Sequence, residues 1–194
     1  MGGPFAQAGT LIIDVVFGLY IMIVMLRFLL QWVKADFYNP ICQFLIKASN
    51  PLLLPLRRII PGLGGLDIAA IILIIVLQLI ESSLIFLISG YPMGNILALL
   101  LYSIGMVLST LFKLYFYAII IQAVLSWFNQ GYNPVAEILQ RLTDPLMRPV
   151  RRIMPNMGGV DLSPLPVLLL LLILPILIST PITNYALQMM AMSG

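Results

Sequence analysis

Residues 39–67 read NPICQFLIKASNPLLLPLRRIIPGLGGLD, and residues 133–161 read NPVAEILQRLTDPLMRPVRRIMPNMGGVD. Aligned at a constant offset of 94 residues, the two stretches are identical at thirteen of twenty-nine positions, including four prolines and a pair of arginines. Such identity in register indicates an internal duplication. The chain is therefore predicted to contain two copies of one unit, each built around a bend. We call these bends the first elbow (residues 39–67) and the second elbow (residues 133–161).

The composition predicts a membrane protein. Hydrophobic residues make up 61% of the 194 residues and charged residues 9%, whereas a soluble domain carries roughly 25% charged residues. Four apolar runs are long enough to cross a hydrocarbon core about 30 Å thick, and they lack the alternation typical of strands. These spans cover residues 11–32, 66–89, 96–127 and 162–180. The expected fold class is an all-α integral membrane protein with four transmembrane helices.

The duplication and the charges predict the topology. Each unit reads as helix, amphipathic elbow, helix, with the first repeat in residues 1–93 and the second in residues 94–194. Because each unit crosses the membrane twice, the copies are parallel tandem repeats related by a pseudo-twofold axis along the membrane normal. Most Lys and Arg outside the spans fall in the elbows, so the positive-inside rule places both elbows in the cytoplasm and both termini outside it.

The residue types of the elbows predict their local structure. Each elbow is expected to begin with an Asn cap and a Pro at N1, and to start a second short helix at Asn50-Pro51 or Asp144-Pro145. Later prolines are expected to kink and end the segment, glycines to form a turn, and an aspartate to cap the next span. The motif residues are Asn39, Pro40, Pro51, Pro55, Pro61, Gly64, Gly65 and Asp67, then Asn133, Pro134, Pro145, Pro149, Pro155, Gly158, Gly159 and Asp161. The elbows should lie at the headgroup level.

Two consecutive arginines in each elbow are the candidate binding residues. Arg57, Arg58, Arg151 and Arg152 would form basic clamps for anionic lipid headgroups or for an acidic partner at the cytoplasmic surface. The alternative is that they only orient the protein, with their charges solvated or paired internally with the elbow aspartates. The sequence leaves both interpretations open.

Four ionisable residues fall inside the spans, where an unpaired charge is costly. Glu81 and Lys113 lie at similar distances from the elbow ends of their spans, so we expect an ion pair between the second and third spans. That pair would either lock helix packing or line an ion path. Arg27 is expected to snorkel to the interface, and Asp14 to be hydrated near the outer boundary.

The repeated elbow motif, with Asn-Pro, Pro-Leu, Pro, Arg-Arg-Ile, Pro, Gly-Gly and Asp given twice between apolar spans, resembles that of the YggT family. The resemblance covers almost the whole chain. It implies a multi-pass protein of the bacterial plasma (inner) membrane, linked to osmotic or extracytoplasmic stress and in some members to cell division. It also implies chloroplast relatives that assist haem attachment to a cytochrome or nucleoid distribution. No catalytic residue comes with it.

These observations bear on three classes of function. The preferred interpretation is a non-enzymatic membrane organiser, assembly factor or stress-response scaffold. It would be a homo-oligomer that contacts membrane lipids and other membrane proteins. The alternative is a monovalent-cation channel or transporter whose span polar residues line the path. An enzyme is disfavoured because the sequence has no histidine, no nucleophile with a base and no phosphate loop. We expect no cofactor, and the net charge of +3 reflects topology rather than nucleic-acid binding.

Overall fold

The computed structural model describes residues 3–62, 65–91, 95–128, 131, 133–153 and 161–193, and these residues are largely helical. The elements in chain order are α1 (Pro4–Trp32), α2 (Pro40–Ile59), α3 (Ile68–Ser89), α4 (Ile96–Phe128), α5 (Pro134–Ile153), α6 (Pro164–Leu174), a π-helical turn (Pro175–Ser179) and α7 (Thr180–Ser193). We refer to α1–α3 as the first half and to α4–α7 as the second half. Gly64, Pro155, Gly158 and Gly159 of the elbow motif lie outside the described residues.

Four helices are long and apolar enough to cross a membrane, as the sequence predicts. They are Pro4–Trp32, Ile68–Ser89, Ile96–Ser126 and the combined helix Pro164–Met192. At 1.5 Å per residue, the shortest of them, with 22 residues, is about 33 Å long and matches the thickness of a hydrocarbon core. The first span begins at Pro4, earlier than predicted, because a proline at the first helical position is well tolerated.

The last span extends further than the sequence predicts, and it is distorted at one internal position. It does not stop near residue 180 but continues through α7 to Ser193. Its distortion is the π-helical turn that begins at Pro175, where the Thr180 N–H bonds to the Pro175 carbonyl five residues back. Proline lacks an N–H and crowds the preceding turn, so a local widening satisfies the backbone without breaking the helix.

Within its described residues, each elbow forms one helix rather than the two short helices that the sequence predicts. Helix α2 runs unbroken through Pro51 and Pro55, and α5 runs through Pro145 and Pro149. All four prolines lie on the exposed side of their helix. The carbonyls that lose a partner therefore face outward, where water can bind them, and the prediction of a second helix start is wrong for this reason.

Helix packing places the elbow helices against the ends of the spans. Helix α1 packs chiefly on α3, α4 packs on α3 and α7, and α2 and α5 lie against α1 and α4. The two elbows meet where Asn39 Nδ2 of the first donates to the Pro134 carbonyl of the second (2.9 Å). Leu53 of α2 and Leu142 of α5 are fully buried in a core shared with the spans. Each amphipathic helix is therefore held firmly by its apolar side.

Candidate functional site

The first elbow is tied to two spans through Arg57, which lies in the last turn of α2. Its guanidinium forms an ion pair with Asp67, and the Nε–Oδ2 distance is 3.2 Å. Its Nη2 also donates to Gln31 Oε1 of α1 (3.0 Å). Asp67 Oδ1 accepts from the Ala70 N–H (3.2 Å) and so caps α3. One carboxylate, only 4% exposed, thus joins the end of α2 to the start of α3.

The second elbow repeats this ion pair in a more open setting. Arg151 Nε lies 3.2 Å from Asp161 Oδ2, and Arg151 Nη1 lies 3.7 Å from Asp144 Oδ1. Asp161 accepts from the Ser163 N–H (2.9 Å) and from the Ser163 hydroxyl rather than capping α6 directly. Partial burial alone would raise the pKa of Asp161. The hydrogen bonds from Ser163 and the charge of Arg151 outweigh burial, so this pKa lies below its ordinary value.

The second arginine of each pair is placed differently from the first. Arg58 and Arg152 are both exposed at the ends of α2 and α5. Neither makes a hydrogen bond or ion pair with any residue that the structure describes. The four candidate arginines therefore divide into two roles. Arg57 and Arg151 hold the elbows, whereas Arg58 and Arg152 expose guanidinium groups that have no partner among the described residues.

The structure shows a second contact between elbow and span that the sequence did not predict. Arg27 of α1, only 7% exposed, donates through Nη1 to Ser49 Oγ (2.7 Å), Asn50 Oδ1 (2.8 Å) and the Ile46 carbonyl (3.3 Å). The sequence assigned Arg27 no specific partner, and the structure corrects this. The side chain points into α2, where three oxygens satisfy it.

The second half has a neutral version of the same contact. The Thr143 hydroxyl of α5 bonds to Gln122 Oε1 of α4 and lies 2.8 Å from the Leu139 carbonyl. Thr143 stands 94 residues after Ser49, and Gln122 stands 95 residues after Arg27. The sequence signal for this contact was a pair of polar residues in the first and third spans, 95 residues apart. Each is matched by a hydroxyl residue two positions before Pro51 or Pro145.

The predicted ion pair between Glu81 and Lys113 does not form. Glu81, 3% exposed, accepts from Gln78 Nε2 on its own helix (3.2 Å) and interacts with Asp14 of α1. Lys113 lies on the exposed side of α4 and pairs with no described residue. The sequence matched the two charges only by their distance from the elbow ends of the spans. In the structure Glu81 faces α1, whereas Lys113 lies on the exposed side of α4. The expectation that Asp14 is only hydrated also changes, since Glu81 lies beside it.

A pocket of about 310 Å³, lined by both charged and apolar groups, opens beside the first elbow. Its lining residues come from α1, from the end of α2 and from the segment before α3: Gln31, Arg57, Gly62, Gly65, Leu66 and Asp67. Gly65 has φ +85°, a backbone conformation that glycine adopts without strain. A cationic group, an amide and a carboxylate therefore surround one opening at the elbow end of the spans.

Comparisons with known proteins give one consistent result. A family model described as CCB3/YggT matches residues 6–88 and again residues 101–182. An uncharacterised protein of Pseudomonas aeruginosa is 46% identical over 173 residues, which cover 88% of each chain. The uncharacterised protein YggT of Escherichia coli is 38% identical over 166 residues, covering 85% of this chain and 86% of the relative. A protein of Vibrio alginolyticus is 40% identical over 158 residues, covering 79% and 84%. No solved structure matches the chain.

Proposed function

Since this chain belongs to the CCB3/YggT family, we propose that it is a non-enzymatic organiser of the bacterial plasma membrane that acts in osmotic or extracytoplasmic stress. In this role it docks partner membrane proteins and anionic lipids on its cytoplasmic face. The exposed Arg58 and Arg152, presented on two fixed elbows, are the observation that carries the proposal.

The proposed architecture is a pair of tandem parallel repeats with both elbows in the cytoplasm and both termini outside. The family model matches the chain in two separate segments, which supports the duplication. The ion pairs of Arg57 with Asp67 and of Arg151 with Asp161 also stand at equivalent positions. A rotation about the membrane normal relates two such units if they begin on the same side.

The elbows are suited to display charge at a membrane surface. Each elbow helix buries its apolar side among the spans and ends with two arginines in its last turn. One arginine of each pair is held by an aspartate, which fixes the helix end. The other arginine has no partner among the described residues. A basic residue near an anionic leaflet contributes about 1 kcal/mol to membrane or lipid association. Two such residues on one chain, doubled again in a homo-oligomer, give a multivalent surface.

Removing the two free arginines tests the organiser proposal. Arg58→Ala/Arg152→Ala should lose co-purified acidic partners and anionic lipid relative to the native protein. The measurement is quantitative mass spectrometry of proteins and lipids recovered from mild detergent. Lys47→Ala/Arg148→Ala removes the same charge from exposed positions of the same two helices and should retain them. Identical recovery from all three proteins would contradict the proposal.

A channel or transporter for monovalent cations is the second candidate, because Glu81 and Gln78 form a buried polar pair within α3. If this pair lines an ion path, potassium or sodium flux in proteoliposomes should fall in Glu81→Gln and persist in Lys113→Gln. Lys113 contacts no described partner, so its variant controls for a changed intramembrane charge. Flux that equals that of empty liposomes would remove this candidate.

A further inference from the structure

Three spans leave an apolar groove of about 250 Å³ on the side of α1, α3 and α4 nearer the first elbow. Its walls carry no polar surface, and their main residues are Met25, Phe28, Ile71, Ile75, Val107 and Leu111. On α4 the lining extends from Ile104 to Leu111, a rise of about 10 Å along the helix. The groove is therefore elongated along the spans and has the length of part of an acyl chain.

The pocket beside Arg57 lies further toward the elbow along the same two helices. Gln31 of the pocket is three residues from Phe28 of the groove, and Asp67 is four residues from Ile71. Residues three and four apart share a helix face, so α1, and α3 together with its capping residue, line both cavities along one side. The combined site is apolar toward the membrane interior and polar at the elbow, which is the polarity of a single phospholipid molecule.

Arg57 keeps part of its guanidinium available to a ligand. Its Nε and Nη2 are used by Asp67 and Gln31, whereas Nη1 makes no hydrogen bond with any described residue. The side chain is 32% exposed, and the pocket lies beside it. A guanidinium held in place by two partners, with a third nitrogen free, is a preorganised donor for a phosphate oxygen.

We propose that one phospholipid of the cytoplasmic leaflet binds here, with its headgroup phosphate on Arg57 Nη1 and an acyl chain in the groove. The inference deepens the proposed function by assigning a defined lipid site to the first elbow. A lipid fits better than a second copy of the chain, because it brings both a phosphate for the arginine and an acyl chain for the groove, whereas the four helices that can cross a membrane carry only two acidic residues, Asp14 and Glu81. The second elbow makes a poorer site, since Arg151 faces two carboxylates, Asp144 and Asp161.

Filling the groove tests the proposal without touching the arginine. Val107→Phe places a ring in the groove, whereas Val124→Phe makes the same change at an exposed position of the same helix. Native mass spectrometry of protein released from phosphatidylglycerol nanodiscs should show one retained phospholipid for the native chain and for Val124→Phe. For Val107→Phe we expect about tenfold lower retention. Equal retention by the two variants means surface lipid only and overturns the proposal.

The headgroup contact is tested with the matched arginines. Arg57→Gln should lower retention of phosphatidylglycerol about tenfold, while Arg151→Gln should leave it unchanged. Diacylglycerol with the same acyl chains lacks the phosphate and should be retained by neither the native chain nor the variants. Retention of diacylglycerol by the native chain would overturn the proposal. A Val107→Phe chain that becomes monomeric but keeps its lipid would also overturn it, because the groove would then hold a second copy of the chain. The lipid site and the proposed partner surface can fail independently. If Val107→Phe loses this lipid while Arg58→Ala/Arg152→Ala recovers the same partners as the native chain, the lipid site stands and the partner surface does not.

Discussion

The two halves of the molecule use the same contacts with different strength. In the first half a buried arginine, Arg27, holds α2 through three oxygens, and the carboxylate of Asp67 is almost wholly enclosed. In the second half a neutral Gln122 holds α5 through one hydroxyl, and Asp161 is 44% exposed. Charged hydrogen bonds are roughly twice as strong as neutral ones, and burial protects an ion pair from screening. The comparison indicates that the first half is the rigid anchor of the fold and the second half its more adaptable part.

The largest difference between the halves should appear at the contact between span and elbow. Arg27→Ala removes three hydrogen bonds and leaves buried oxygens without a donor, so we expect a loss of about 2 kcal/mol in the free energy of unfolding. Gln122→Ala removes one neutral bond and should cost about 0.6 kcal/mol. Unfolding by SDS, followed by circular dichroism, measures both values. Lys113→Ala, which removes an exposed charge without described partners, should be close to neutral. Equal losses at positions 27 and 122 would contradict the asymmetry.

At two glycines in the interfaces between spans, the second half is more closely packed than the first. A Cβ on Gly105 of α4 would lie 2.6 Å from the Thr183 side chain and 3.3 Å from the Ser179 carbonyl of the last span. A Cβ on Gly9 of α1 would meet only Ile88 of α3, at an ordinary 3.7 Å. Gly105→Ala should therefore cost about 1.5 kcal/mol through overpacking, whereas Gly9→Ala should be neutral or slightly stabilising. The same SDS titration compares them. A destabilised Gly9→Ala with an unaffected Gly105→Ala would show that the α4–α7 approach is not close.

The elbow aspartates sharpen the comparison on a smaller scale. Asp67→Ala removes the cap of α3 and a partly buried ion pair, so a loss of about 1 kcal/mol is expected. Asp161→Asn keeps a side-chain oxygen for Ser163 and removes only the charge of an exposed pair, so it should cost about 0.3 kcal/mol. Raising the salt concentration should shrink the second loss more than the first, because exposed charges are screened more strongly. A salt response that is the same at both positions would argue against the difference in burial.

Sequence patterns predict the features of this fold that are local. Hydropathy identifies the four spans, and Asn39 and Asp67 are recognisable as caps because a cap depends on neighbours only two or three residues away. The rotation of each span about its axis is not local. The spans are apolar on every side, so no polar stripe reveals which face meets a neighbour. The sequence therefore did not predict which side chains surround Arg27, Glu81 and Lys113. The continuity of α2 through its prolines was missed for a different reason, because it depends on whether the carbonyls that lose a partner can reach water.

The smallest expected effect concerns the pH dependence of the second elbow. The pKa of Asp161 is lower in the folded chain than its ordinary value of about 3.9, so the folded state holds this proton less tightly than the unfolded state. Its stabilising contribution is complete above the unfolded pKa and is lost as the pH falls through the lower folded pKa. Between pH 7 and pH 5 the free-energy difference between the native chain and Asp161→Asn should therefore stay constant, and it should shrink only below about pH 4. Unfolding titrations of both proteins across this range measure the difference. A change centred near pH 6 would mean that a group other than this carboxylate governs the elbow, and the two halves would then differ in chemistry as well as in burial.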